Sequence, residues 1–142
     1  MRRPVWGDRG SVSVEAVTVY PALVAMGLLI IAGGWWADCR STVREAAEEA
    51  ARFASLSRTA PEAQAKAEAA ADITLGNSNQ ECASSSVQVD TSGFSVPVGQ
   101  AATVTVTVSC NVPTGSLGLP GLGSHTFTTT VVTDLDTWRL RR

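Results

Sequence analysis

The chain has 142 residues, is 44% hydrophobic and 17% charged, and carries 11 basic against 13 acidic residues, a formal net charge of −2. This length accommodates one domain with an appendage and excludes a large multidomain enzyme. The near-neutral charge excludes a general nucleic-acid binder, which would carry a basic surplus on one face.

The apolar residues are concentrated near the start of the chain. Residues 16–37 contain no charged side chain, and a helix of this length spans roughly 33 Å, enough to cross a hydrocarbon core of about 30 Å. Trp35 and Trp36 end the run, where aromatic rings favour the membrane–water interface. A buried helix of a soluble core is the alternative, but such helices seldom run this far without a charge. We therefore predict one membrane-spanning helix over residues 11–37.

The charges on either side of this helix predict its orientation. Residues 1–10 carry three arginines and one aspartate, whereas the outer flank turns acidic by Glu45. The positive-inside rule then leaves residues 1–10 in the cytoplasm and the remainder of the chain, about a hundred residues, outside.

Three kinds of processing are compatible with such a start. A signal peptidase would find small residues at Ala32, Gly33 and Gly34. A lipoprotein signal would place small residues directly before a cysteine, but Cys39 follows the acidic Asp38. The third kind depends on residues upstream of the apolar run.

Residues 9–15 read RGSVSVE, which resembles the cleavage site of type IV prepilins. In that motif a short basic leader ends in glycine, and a glutamate follows at the fifth position of the mature chain. The resemblance implies a cut between Gly10 and Ser11, which removes the leader 1–10 and keeps the apolar helix.

Glu15 would then lie at the edge of the apolar helix. A carboxylate at the bilayer centre costs on the order of a few kcal/mol, less near the interface, and such residues usually have a partner. In a pilin-like assembly the partner is the α-amine that cleavage creates on a neighbouring subunit, whose pKa of about 7.7–8.0 keeps it largely cationic. Alternatively, Glu15 marks a helix start in the headgroup region, where the helix dipole favours an acid.

Further residues extend the resemblance beyond the cleavage motif. Pro21 follows Glu15 by six positions, and residues 44–54 read REAAEEAARFA. Over residues 8–56 the chain resembles the TadE-like family, minor pilins or pseudopilins of tight-adherence (Flp-type) pilus systems. The resemblance implies a pilin-like fold, processing by a prepilin peptidase, partnership with other pilin subunits and pilus assembly membrane proteins, and a structural role. The glycine pair 33–34 and Pro21 predict helix kinks.

The helix is expected to continue outside the membrane over residues 38–58. Val43, Ala47, Ala50 and Ala54 share one face, flanked by Phe53. The predicted i,i+4 ion pairs on the opposite face are Arg44–Glu48 and Glu48–Arg52.

Residues 59–142 predict a small extracytoplasmic α+β domain. Thr59, Pro61 and Glu62 form a helix-start pattern for a second, short helix that ends near Leu75. Alternating valines and polar residues at 87–89, 103–108 and 126–133 then predict half-buried strands of a small antiparallel sheet. The Gly/Pro-rich loop 113–124 is either a binding tip or a flexible connection.

The three cysteines divide into a pair and a single residue. Cys82 and Cys110 both lie in the outer portion, where an oxidising exterior favours a disulfide between them. Cys39 is left at the membrane surface, where it either remains a thiol or pairs between subunits.

No motif for catalysis or cofactor binding is present. His125 has no second histidine or cysteine at metal-ligand spacing, and Asp134 and Asp136 are too sparse for a calcium loop. We expect no enzyme activity, no metal or cofactor, and neither nucleic acid nor a small molecule as partner. A membrane-anchored or secreted binding domain is the alternative function, and an enzyme accessory subunit a third.

Overall fold

The computed structural model describes residues 11–78, 82–117 and 123–138. Its elements are α1 (Ser11–Ser55), α2 (Ala60–Asn77), β1 (Ser84–Asp90), β2 (Ala102–Pro113) and β3 (Ser124–Leu135), with two short 3-10 helices at Ser92–Ser95 and Thr114–Leu117. A long N-terminal helix, a shorter second helix and a three-stranded antiparallel sheet confirm the predicted α+β class. By internal contacts the chain divides into two units between Ala37 and Asp38.

The part of α1 before Asp38 exposes its side chains. None of the residues from 19 to 37 is buried. Pro21 lies inside the helix, and the predicted kinks at Pro21 and at the glycine pair 33–34 stay predictions.

The part of α1 after Ala37 is amphipathic and belongs to the second unit. Its buried face is built from small residues: Cys39, Val43, Ala46, Ala47, Ala50, Ala51 and Ala54. On the exposed face Arg44 Nε donates to Glu48 Oε1 at 2.7 Å, as predicted. The predicted Glu48–Arg52 pair is wrong. Glu48 binds Arg44, and Arg52 Nη1 instead lies 3.8 Å from Glu49 Oε1.

Helix α2 begins at the predicted cap. Thr59 Oγ1 accepts the backbone N–H of Glu62 at 3.3 Å, and the Glu62 carboxylate accepts the backbone N–H of Arg58 at 3.2 Å. Lys66 holds the other oxygen of Glu62 at 2.7 Å. The helix ends at Asn77, two residues beyond the predicted Leu75, and its buried side is again mostly alanine.

The sheet has the order β1-β2-β3, with both neighbours antiparallel to the central strand. The central strand β2 separates its side chains by type, as the alternation predicted. Val104, Val106 and Val108 are completely buried on one face. The residues between them are threonine and lie on the other face, because side chains alternate along a strand.

Both helices lie against the valine face of the sheet. Helix α2 contacts β1, and the part of α1 after Ala37 shares a groove with residues 129–131 of β3. Phe53 of α1 and Ile73 of α2 line one shallow depression between the two helices. The second unit is therefore a two-layer α/β sandwich, with α2 above β1 and α1 towards β3.

The opposite face of the sheet is covered with hydroxyl groups that bond across the strands. The side-chain pairs are Thr107–Thr130 at 2.9 Å, Ser109–Thr128 at 2.9 Å and Asn111–Thr126 at 3.0 Å. This hydroxyl face also carries Ser84, Ser86 and Gln88 of β1, which pair in register with those β2 residues.

Gly93 closes one end of the core. A Cβ atom at this position would collide with the backbone carbonyl oxygen of Thr103 and would lie 3.1 Å from Leu135 Cδ1. Only glycine allows the turn to approach β2 so closely.

Candidate functional site

The predicted cleavage position lies at the start of α1. Gly10 and the rest of the leader 1–10 lie outside the described residues, and α1 begins at Ser11. Glu15 stands four residues later, so the backbone places Ser11 and Glu15 on the same side of the helix. The side chains of residues 11–16 lie outside the description, and the contacts predicted for the Glu15 carboxylate stay a prediction.

The helix that follows is apolar on all sides. Leu29, Ile30 and Ile31 are 73%, 66% and 69% exposed, and three consecutive helical residues point in three directions about 100° apart. The large apolar side chains exposed in this part are Val17, Val19, Tyr20, Leu23, Val24, Met26, Leu28, Leu29, Ile30, Ile31 and Trp36. Each aliphatic side chain that stays exposed to water forgoes about 1.5–3 kcal/mol of the free energy that its burial would contribute. A helix that is apolar all round requires an apolar surrounding.

This helix also satisfies the length and composition of a membrane span. Among the described residues, Val19–Ser55 contains a window of mean hydropathy 1.7 in which no residue is buried. A soluble core helix would be mostly buried, whereas an N-terminal signal sequence would share the same properties. One exposed apolar helix near the N-terminus fits a single-pass membrane protein.

The predicted disulfide is formed. Cys82 and Cys110 are joined with their Cα atoms 5.5 Å apart, and Cys110 pairs in register with Ser85 near the start of β1. The bond therefore ties the segment entering β1 to the central strand.

Cys39 lies in the protein core, which differs from its expected place at the membrane surface. It is 1% exposed, on the same side of α1 as Val43. Burial raises the pKa of the Cys39 thiol, and the neighbouring carboxylate of Asp38 raises it further. A thiol that is both enclosed and protonated is a poor nucleophile, so the alternative of pairing between subunits would require the core to open.

The remaining candidates for chemistry have structural surroundings. The described residues contain no group of three His, Cys, Asp or Glu that could hold a metal ion. The ring of His125 contacts the edge of Phe127, with centroids 4.8 Å apart and planes at 70°. The pKa of the Asp90 carboxyl is lowered by the backbone N–H of Ser92, a turn contact at the end of β1.

The Gly/Pro-rich loop is clamped where it leaves the sheet. Strand β2 runs to Pro113, and the backbone N–H of Thr114 donates to the carbonyl of Gly123 at 3.1 Å. Residues 118–122 of this loop lie outside the described residues. A binding tip and a flexible connection therefore both stay predictions for this loop.

Two charged flanks were not anticipated from the sequence. Arg40 and Arg44 line the groove beside β3, and Asp72 lines a groove beside β1, with Glu68 one turn before it. The signal was present in the i,i+4 spacing of both pairs. From the sequence alone, Arg40 and Arg44 indicate only repulsion between like charges within a helix. The sequence does not show which strand lies beside each pair.

One apolar helix near the N-terminus followed by a disulfide-bonded α+β unit fits the class of single-pass membrane proteins. The unit that follows Ala37 is called the outer domain below. Residues 10–52 match the family described as TadE-like protein. The resemblance inferred for residues 8–56 is thereby confirmed, and this N-terminal segment is TadE-like. The match covers the apolar helix and its continuation as far as Arg52. Comparison with curated proteins and with solved structures finds no match to the chain.

Proposed function

We propose that this chain is a pseudopilin or minor pilin that a prepilin peptidase processes after Gly10 and that contributes to assembly of a Tad pilus. The observation that carries this proposal is the extent of the family match. It spans residues 10–52 and so includes Gly10, Ser11, Glu15 and Pro21 together with the entire apolar run. In this proposal the leader is 1–10, the membrane helix 11–37, its outer extension 38–58 and the extracytoplasmic domain 59–142.

The physical role of processing is to create a charge. Cleavage releases the α-amine of Ser11, which is largely cationic at neutral pH because its pKa is about 7.7–8.0. The Glu15 carboxylate of an adjoining subunit carries the opposite charge. Either charge would be costly if it stayed unpaired in an apolar surrounding, so the two groups stabilise each other there. Forming this pair would fix the axial position of one helix against the next and hold the subunit among its pilin partners.

The orientation follows from the flanks and suits the disulfide. The basic leader stays in the cytoplasm, where the peptidase acts, and the unit after Ala37 lies outside. An oxidising exterior sustains the bond between Cys82 and Cys110, whereas the cytosol would reduce it.

The processing step is tested by the intact mass of the chain expressed with and without a prepilin peptidase. We expect the mature N-terminus at Ser11 only when the peptidase is present. Gly10→Val should retain the leader because the bulkier residue blocks the cut. Gly7→Val, the same change three residues upstream in the leader, should still be processed. An uncut wild-type chain in the presence of the peptidase, or a start at Trp35, contradicts the proposal and favours the signal or anchor of a binding domain.

The assembly step is tested with Glu15→Gln, which keeps the size of the side chain and removes its charge. We expect normal processing but loss of incorporation into sheared pilus fractions. Glu45→Gln is the matched control because Glu45 is exposed on the outer part of α1, and it should incorporate normally. Normal incorporation of the Glu15 variant would remove that residue from the mechanism.

A further inference from the structure

The outer strands of the sheet are unprotected edges. Strands β1 and β3 flank β2, and within the described residues no strand lies beyond either of them. Strand β3 pairs with β2 in a continuous register from Ala102–Leu135 to Pro113–Ser124. From Ser124 to Thr133 it contains no lysine, arginine, aspartate, glutamate or proline, and its one carboxylate, Asp134, stands next to its last residue. Natural edge strands commonly carry such residues or a bulge to prevent pairing with another chain, so β3 is equipped to accept a further strand.

Apolar side chains at both edges are incompletely covered. Val87 and Val89 of β1 and Val131 of β3 face the helix side but are only half-buried, whereas the β2 valines are fully buried. On the hydroxyl face Val132 is 60% exposed. A strand added at either edge would remove this surface from water.

The helices bring opposite charges to the two edges. The flank of α1 beside β3 carries Arg40, Arg44 and Glu48 and is net positive. On the side of β1, Asp72 of α2 lines the groove with Ser85, and Glu68 lies one helical turn before Asp72 on the same side of the helix. This flank is net negative. Each domain therefore has a basic groove beside the middle of β3, at residues 129–131, and an acidic flank beside β1.

We propose that the outer domains of neighbouring copies of this chain associate side by side, with β3 of one copy against β1 of the next. Both strands are antiparallel to β2 and so parallel to each other. A copy displaced sideways, with the same orientation, presents β1 in the parallel sense to β3, and its Glu68 and Asp72 face Arg40 and Arg44. A two-fold β3–β3 contact would instead bring basic flank against basic flank. The contact is heterologous and extends into an open row.

This surface belongs to the outer domain alone. It depends neither on cleavage after Gly10 nor on a pilus, and failure of either would leave it intact. The test therefore uses the full-length chain in membranes of cells that lack a pilus system.

Disulfide trapping distinguishes the two geometries. In a Cys39→Ala background, Gln88→Cys on β1 is combined in turn with Thr128→Cys, Thr130→Cys or Val132→Cys on β3. Neighbouring strands of a sheet lie about 4.7–4.9 Å apart, so cysteines at the same level of β1 and β3 come within reach of a disulfide. We expect at least one combination to give a ladder of dimers and higher oligomers on mild oxidation. Each single variant should give no product.

A matched control replaces Gln88→Cys by Ala69→Cys, which is exposed in the depression between the two helices and away from both sheet edges. This control should give no ladder. Persistence of the intramolecular disulfide in each variant reports that the domain is folded. Absence of a ladder in all combinations, or dimers from Thr130→Cys alone, overturns the proposal.

Charge reversal tests the flanks. Arg40→Glu with Arg44→Glu, or Glu68→Arg with Asp72→Arg, should lower the cross-linked fraction about tenfold. The chain with all four changes restores opposite charges across the contact and should recover the ladder. Failure of that chain to recover would show that the flanks do not meet.

Discussion

Removing the disulfide should cost the outer domain much of its stability. The variant Cys82→Ala with Cys110→Ala opens a loop whose ends are 28 residues apart. The chain-entropy relation gives about 3.5 kcal/mol for a loop of this size. The free energy of unfolding of a small domain is about 5–15 kcal/mol in total, so this loss is a large share of it. At about 4–8 °C per kcal/mol for a domain of this size, the midpoint of thermal unfolding should fall by about 14–28 °C.

The measurement is urea-dependent pulse proteolysis of the full-length chain in detergent, which reports unfolding of the outer domain. Cys39→Ala is the control because it removes a buried sulfur and keeps the disulfide; it should cost about 1 kcal/mol. Reductant should bring the wild-type chain close to the double variant and leave the double variant unchanged. A loss below about 1 kcal/mol in the double variant would refute the loop-entropy argument.

Three further outcomes follow from local packing and charge. Gly93→Ala should destabilise the domain by about 1–3 kcal/mol because its Cβ would collide with a carbonyl of β2, whereas Gly76→Ala has open space and should not. Ala50→Leu should cost a similar amount, since Ala50 is completely buried; urea unfolding measures both. The hydrogen bond from Lys66 is the main cause that lowers the pKa of Glu62, and the backbone N–H of Arg58 is the second. The stabilisation of the fold by ionised Glu62 is therefore present above the ordinary pKa of 4.5 and is lost as the pH falls below it. Glu62→Gln should therefore unfold at lower urea than the wild type at neutral pH, with the difference vanishing in acid.

The strands and the helix start were predictable because their signals are local. The Val/Thr alternation of β2 has the period of a strand, so it separates the buried from the exposed face without knowledge of the partners. The Thr59 cap likewise depends on residues within one turn. Glu48 shows where such reasoning stops, because Arg44 and Arg52 both suit it by spacing and only the folded side chains show which one it binds.

Burial and close approach were not predictable because they depend on distant parts of the chain. Cys39 follows the apolar run directly, and its position suggested a membrane-surface thiol; its burial requires the remainder of the domain to cover it. The need for glycine at Gly93 is set by Thr103, which lies on another element. The motif around Gly10 and Glu15 supported the family resemblance, whereas the contacts proposed for Glu15 are with a second subunit and do not follow from one chain.

The hydroxyl face has a consequence for how the domain responds to its surroundings. Its threonine and serine hydroxyls do not ionise in the range where proteins stay folded, and several already bond to one another across the strands, as Thr107 does to Thr130. Ions screen charges but have little effect on such neutral pairs. Away from the end of the sheet where Asp90 and Asp134 share this face, this side of the domain should therefore keep the same character in brine, fresh water or acid, while the charged helical side responds to each of these changes.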